Sequence, residues 1–268
     1  MGNVIHFGEA RSKLGFERVK STYSARELGR RFGLGERTIR RWTQEGLIQL
    51  ADGCREGEVR YDFRALTLLR RVSELRSQGL TFRQIEAELN GQLNLFPEPE
   101  GRLLHLPRKM SVFEEALLFH ERGDPRAPEY YLKAAMDGDH SPDAYCNLGI
   151  MEFEAGKVAS AFNRFTQALR CEPRHFESHF NLAHLYFESG DLKLARLHYE
   201  LAAEIEPGFA DLFYNLGLVH AIKGDLPEAV AALNQARELA PEEEGKRVED
   251  LLASVEKSLQ HKSPPSEE

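Results

Sequence analysis

The chain has 268 residues, more than one ordinary core requires, and two domains are expected. Its 41% hydrophobic and 29% charged residues describe a soluble globular protein, and no run is apolar enough for a secretory signal or a membrane span, which points to the cytoplasm. The net charge of −8 is unevenly spread: residues 1–90 hold 17 Lys or Arg against 12 Asp or Glu, whereas the remainder holds 18 against 31. A polyanionic partner is therefore expected at the first half only, because the field that matters is local. Three widely spaced cysteines (54, 146, 171) exclude a disulfide framework.

Residues 1–20 show no sustained periodicity and form a flexible arm. From Tyr23 the signals sharpen. Ser24 and Glu27 make a capping box, with Tyr23 and Leu28 in the staple positions, so a first helix starts at Ser24 and ends where Gly33 allows a positive φ. A second helix runs from about Gly35 to Glu45 and stops at Gly46. Ile39 and Trp42 face inward toward Leu28, leaving Arg37, Thr38, Arg40 and Arg41 on the outer surface. Between Arg18 and Arg41, eight Lys or Arg stand against two Glu, a density that suits a phosphate backbone. Two short helices around a glycine turn, the second bearing these cations, form a helix-turn-helix.

Beyond Gly46 the pattern becomes a ribbon, Ile48 and Leu50 on one strand and Val59 and Tyr61 on the other, turning at Asp52-Gly53 and Gly57. Arg55 near the tip and Arg60 on the return strand are placed to reach phosphates. A third helix spans Asp62–Gln78 with Phe63, Leu66, Leu69, Val72 and Leu75 along its core stripe. A fourth starts at a second capping box, Thr81 with Gln84, and runs to about Leu89. The order T-I-R-R-W-x-x-E-G-L-I followed by a hairpin and V-R-Y resembles the MerR-type winged helix-turn-helix over Thr22–Leu89. The resemblance implies a recognition helix carrying Thr38 and Arg40, with Arg60 and Tyr61 gripping phosphates after the wing. The chain departs from the family in having Arg40-Arg41-Trp42 for the usual Arg-Tyr-Tyr, in the adjacency of Arg60 and Tyr61, and in lacking the long dimerisation helix that usually follows.

Residues 91–109, broken by Gly91, Pro97, Pro99, Gly101 and Pro107, read as a linker, with a small hairpin pairing Gln92–Phe96 and Arg102–Leu106. Past it the chain repeats itself every 34 residues: Asn147, Asn181, Asn215; Gly156, Gly190, Gly224; Ala161, Ala195, Ala229; Ala168, Ala202, Ala236; Pro173, Pro207, Pro241. Each unit is a pair of antiparallel helices, the glycine making the turn and the alanines allowing close approach. These N-L-G, G-x-x-x-x-A, A and P landmarks resemble the tetratricopeptide repeat, three full units after a degenerate one, within residues 110–243. A capping helix over 244–260 and a disordered polar tail over 261–268 complete the chain.

The first helices of such units line a concave face, where spacing places Asn147, Ile150, Phe180, Asn181, His184, Tyr214, Asn215 and Leu218. A row of side-chain amides there can hold an extended peptide backbone by donating and accepting at once. No metal site is expected: His175, His179, His184 and His198 lack a ligand pattern, and Cys54 has no second thiol or imidazole close by in sequence. Neither a phosphate-cradling glycine loop nor a nucleophile motif occurs, so no cofactor and no enzymatic activity are expected. The expected fold is mainly α, a winged helix-turn-helix followed by an α-solenoid. The expected partners are double-stranded DNA at the first module and a protein or peptide at the second, with a homodimer presenting two heads at the nucleoid. A non-enzymatic scaffold whose helix-turn-helix docks protein is the alternative.

Overall fold

A computed structural model describes residues 15–51, 59–93, 110–240 and 242–262. Arg55, Cys54 and the tail beyond 262 lie outside the described residues, as do most of the linker and residues 1–14. The described chain divides into two compact units, one of Val19–Leu148 and one of Gly149 onward together with the segment that ends at Arg18. The division falls inside a repeat, whereas sequence places a linker at 91–109.

In the first unit, β1 (Thr22–Ser24) leads directly into α1 (Ala25–Arg31), and a four-residue turn joins it to α2 (Glu36–Gln44). The capping box forms as its residues dictate: the Ser24 hydroxyl accepts from the Glu27 N–H at 3.1 Å, and the Glu27 carboxylate accepts from the Ser24 N–H at 2.7 Å. The Ser24 contact is among the causes that hold the Glu27 carboxyl below its usual range against the opposing effect of burial. Gly33 turns the chain with φ of +61°. Leu28, Ile39 and Trp42 are all fully buried between the two helices.

The strand after the wing, β2 (Arg60–Asp62), pairs antiparallel with β1 in the register Thr22 to Asp62, Tyr23 to Tyr61 and Ser24 to Arg60. The expected partner strand, Ile48–Leu50, contributes no such ladder; a bond from the Ala51 N–H to the Arg60 carbonyl, at 2.9 Å, ties that side in. The pairing buries Tyr23 and Tyr61 side by side on one face. Asp62 then caps α3 (Phe63–Ser77), its carboxylate accepting from the Arg64 N–H at 2.9 Å. Helix α4 (Phe82–Leu93) runs four residues past its expected end, so Gln92 and Leu93 are helical where a hairpin strand was expected.

The same unit continues through α5 (Val112–Glu121), α6 (Ala127–Asp137) and the start of α7 (Ser141–Glu154). Phe63, the first residue of α3, meets Phe113 edge-on at 5.4 Å and His140 at 4.6 Å, while Arg64 donates to the Glu114 carboxylate at 2.6 Å. The head and the first helical pair thus share one core.

The second unit holds the rest of α7 and its partner α8 (Val158–Cys171), the pairs α9 (Phe176–Ser189) with α10 (Leu192–Ile205) and α11 (Ala210–Lys223) with α12 (Leu226–Leu239), and the last helix α13 (Glu242–Lys262). Every repeated alanine (161, 168, 195, 202, 229, 236) is completely buried, as close helix approach requires. Phe176, Tyr199, Leu212, Leu218, Leu233 and Val255 belong to one continuous cluster that reaches the capping helix.

Three helical glycines are fixed by crowding, and at one of them, Gly149, a Cβ would stand 2.7 Å from the Phe165 ring. A Cβ on Gly217 would stand 2.6 Å from Cγ of the buried Leu233, and a Cβ on Gly29 would stand 2.6 Å from the Leu34 carbonyl oxygen, which is backbone. Gly29→Ala in α1 is therefore expected to lower stability by about 1–3 kcal/mol in denaturant unfolding, the cost of overpacking. An uncrowded helix would instead gain about 1 kcal/mol from the same change.

Candidate nucleic-acid interface and repeat groove

Helix α2 separates its faces cleanly. Ile39 and Trp42 are completely buried, and Arg37, Arg40 and Arg41 are exposed, with Thr38 half-buried beside them. The cations are unequally free. Arg40 reaches Glu36 at 3.3 Å, one turn back on the same exposed surface. Arg41 pairs with Glu86 of α4 and lies 3.8 Å from Glu45. Arg37 has no ion pair among the described residues, which leaves it the most available of the three. Exposed pairs of this kind are worth at most about 1 kcal/mol each, so a phosphate can displace them at little cost.

Glu86 was not singled out by sequence, yet it organises the face. Its carboxylate also accepts from the Trp42 indole N–H at 2.7 Å, and the Phe82 ring meets Trp42 edge-on at 6.0 Å. The signal was available in principle: a buried tryptophan needs an acceptor, and the polar residues of the following helix are the nearest source.

The wing residues divide. Arg60 is half-buried, its guanidinium donating twice to the Thr22 hydroxyl at 3.3 and 3.1 Å across the β1–β2 pair. Tyr61 corrects the reading that the family resemblance implied. Its side chain is 0% exposed and its hydroxyl lies 3.1 Å from Thr43 Oγ1. Because Thr43 spends its own proton on the Ile39 carbonyl at 2.8 Å, the tyrosine is the donor in that contact. Enclosed and satisfied, Tyr61 is a core residue of the head and does not face a phosphate. Alternation along β2 puts Arg60 outward and Tyr61 inward, and that parity could have been read from the strand.

The residues placed on the concave face also sort into two groups. Phe180 packs among Phe176, Tyr199 and Phe209, with centroids 5.6–5.9 Å apart, and Leu218 lies in the same buried cluster. The Arg247 guanidinium of α13 covers the Tyr214 ring at 4.2 Å. Ile150 and Asn215 are buried too. Asn147, Asn181 and His184 instead meet extended chain. In the second unit the Glu17 N–H donates to Asn181 Oδ1 at 2.9 Å, and Asn181 Nδ2 donates back to the Glu17 carbonyl at 2.8 Å. In the first unit Asn147 makes the same pair of bonds to Val19, at 3.1 and 3.0 Å, and also donates to the Tyr131 hydroxyl at 3.2 Å. Phe16, Glu17 and Val19, within the stretch assigned by sequence to a flexible arm, are thus held by these residues.

The histidines are structural where described. His175 caps α9, its Nδ1 accepting from the Ser178 N–H at 3.2 Å. His179 Nε2 donates to the Pro173 carbonyl at 2.9 Å, which leaves its Nδ1 to accept from His198 Nδ1 at 3.0 Å. Protonating His179 would set two N–H groups against each other. Burial accordingly lowers both pKa values, His198 to about 4. Burial also pushes His184 down to about 4, outweighing the Glu188 carboxylate 3.4 Å away, which is half in water.

Comparison with known proteins finds two kinds of module. The family model for the MerR HTH family regulatory protein matches residues 23–92, and tetratricopeptide models match residues 165–196, 183–224 and 210–243. No curated protein matches the chain. Among solved structures, MamA from Desulfovibrio magneticus RS-1 is similar over 57% of this chain and 96% of its own, at 20% identity and a TM-score of 0.44. The first TPR of Spaghetti (RPAP3) bound to an HSP90 peptide covers 44% and 93%, at 19% identity and 0.42. The Yersinia enterocolitica translocator chaperone SycD covers 43% and 83%, at 21% and 0.41.

The histidine burial sets a direction for pH. A ring held near 4 in the folded chain, against 6.5 ordinarily, takes up its proton only on unfolding across that window. Stability is therefore full above about pH 6.5 and falls as pH drops toward 4, with His184 contributing up to about 3 kcal/mol of the loss. Thermal melts between pH 8 and 4 check this, and His184→Phe is expected to flatten the acid limb. The chain joins a MerR-type helix-turn-helix domain to a set of tetratricopeptide repeats.

Proposed function

We propose that the chain is a non-enzymatic regulator of transcription whose head reads duplex DNA while its repeats hold a protein or peptide partner. The observation that carries the first half is the face of α2, where Arg37, Arg40 and Arg41 stand exposed opposite buried Ile39 and Trp42. That arrangement suits a helix lying in a major groove, with Arg37, Thr38 and Arg41 near base edges and Arg40 and Arg60 at phosphates. The MerR match over residues 23–92 supports the same assignment. For the second half, the support is the paired hydrogen bonding of Asn147 and Asn181 to extended backbone, the chemistry needed to hold a peptide of little fixed sequence. The setting proposed is the bacterial cytoplasm at the nucleoid, with two heads meeting two half-sites as a homodimer.

A second reading, in which the head docks protein, draws on the carboxylates Glu36, Glu45 and Glu86 that flank Arg40 and Arg41. Salt dependence separates the two, because counterion release is a property of nucleic acid.

Fluorescence anisotropy with the full chain and labelled duplexes, over a salt series, tests the assignment. Arg60→Ala is expected to weaken binding to all sequences alike and to lower the salt slope by about one. Arg37→Ala is expected to relax sequence preference at a cost of about 1–3 kcal/mol for the preferred site. Wild-type behaviour in both variants would refute the duplex interface.

A further inference from the structure

The strongest unassigned feature is what fills the asparagine sites. Phe16 inserts its ring among Phe153 (4.3 Å between centroids), Phe165 (6.1 Å, stacked) and His184 (4.6 Å, edge-on). The next residue, Glu17, is clamped at both backbone polar atoms by Asn181. Two residues on, Val19 is clamped in the same way by Asn147 and is completely buried. In the second unit the Glu17 backbone and the Phe16 ring make these contacts, so they recognise a backbone N–H and C=O beside an aromatic anchor more than a fixed sequence. A second polypeptide of that form would make them equally well.

We propose that Phe16–Glu17 is a tethered occupant of the peptide site that the second unit's repeats form around Asn181 and His184, so that a trans ligand, an extended peptide with an aromatic residue followed by a free backbone N–H, binds by displacing it. The proposal rests on reading the repeats as a peptide-binding surface and adds how that surface is regulated. Its force is concentration. Belonging to the same chain gives the resident segment an effective concentration of about a millimolar, so a free peptide of about 10 μM intrinsic affinity appears about 100-fold weaker than it is. The closed state is then the resting one, opened by a ligand that is abundant, that binds more tightly than the resident segment, or both.

The segment itself supplies the probe. A fluorescein-labelled peptide of residues 13–21, KLGFERVKS, is titrated with the full chain and followed by anisotropy. Wild type should bind it poorly. Phe16→Ala, which empties the ring site, and Glu17→Pro, which removes the N–H that Asn181 accepts, should each bind it at least about 10-fold more tightly, because the resident competitor is weakened. Adding Asn181→Ala to Phe16→Ala should abolish the gain, and far-UV circular dichroism establishes that each variant is folded. Equal affinity for wild type and both single variants would overturn the tethered occupant while leaving the repeats a peptide site. An absence of binding to every variant would overturn the peptide site as well. Sedimentation at the same concentrations covers the remaining geometry: a wild-type dimer that Phe16→Ala converts to monomer means the segment comes from a second copy, and the tethered form is then wrong. None of these readouts involves DNA, so they stand or fall apart from the duplex interface.

Discussion

The aromatic corner of Phe63, Phe113 and His140 is the constraint that most of the first unit hangs on. Phe63 opens α3 immediately after the short strand that carries Arg60, and Phe113 opens the first helical pair behind its own capping box at Ser111 and Glu114. His140 fills the corner from a left-handed backbone, φ of 50°, which a non-glycine residue holds only when its surroundings repay the strain. Here two rings and the Asp143 carboxylate at 3.6 Å do so, and the carboxylate raises the histidine's pKa against the opposing effect of burial. With Arg64 bonded to Glu114, the last strand of the head and the first helices of the repeat array cannot move independently without opening this core.

The repeat asparagine has two distinct uses in one chain. At Asn147 and Asn181 the side-chain amide matches the N–H and C=O of a single residue donor for acceptor, and neither is left with a buried unsatisfied atom. Asn215 is buried among its neighbours, and burial drives the hydroxyl pKa of Tyr199 upward. The same residue type thus holds backbone at two repeats and lies in the core at a third.

Features set within a few residues of one another were legible in the sequence. The box at Ser24 and Glu27, the glycine turn at Gly33 and the buried Ile39–Trp42 face follow from short-range rules, and the 34-residue recurrence fixes the helical pairs because each copy solves the same packing problem. What sequence missed is long-range. The strand over Thr22–Ser24 has three residues and no alternation long enough to register, and it exists because β2 arrives beside it from 38 positions away. Tyr61 was assigned outward by family resemblance, but the β2 register places it inward. The held segment at residues 16–19 carries no periodic signal at all, since its order comes from Asn147 and Asn181, far along the chain. In the candidate site the cations of α2 were readable one by one, and the carboxylate that arranges them, Glu86, was not, because it comes from another helix.

The placement of Phe63 bears on how the head can be cut from its repeats. A recombinant piece that stops at Leu89, where the winged fold nominally closes, would present a bare phenylalanine to water, would strip Arg64 of its Glu114 partner and would lose the acceptor Asn147 that orders Val19. The smallest piece that keeps its own hydrophobic seam intact extends to about Leu148, so for this chain the autonomous module is larger than the motif that gives it its name.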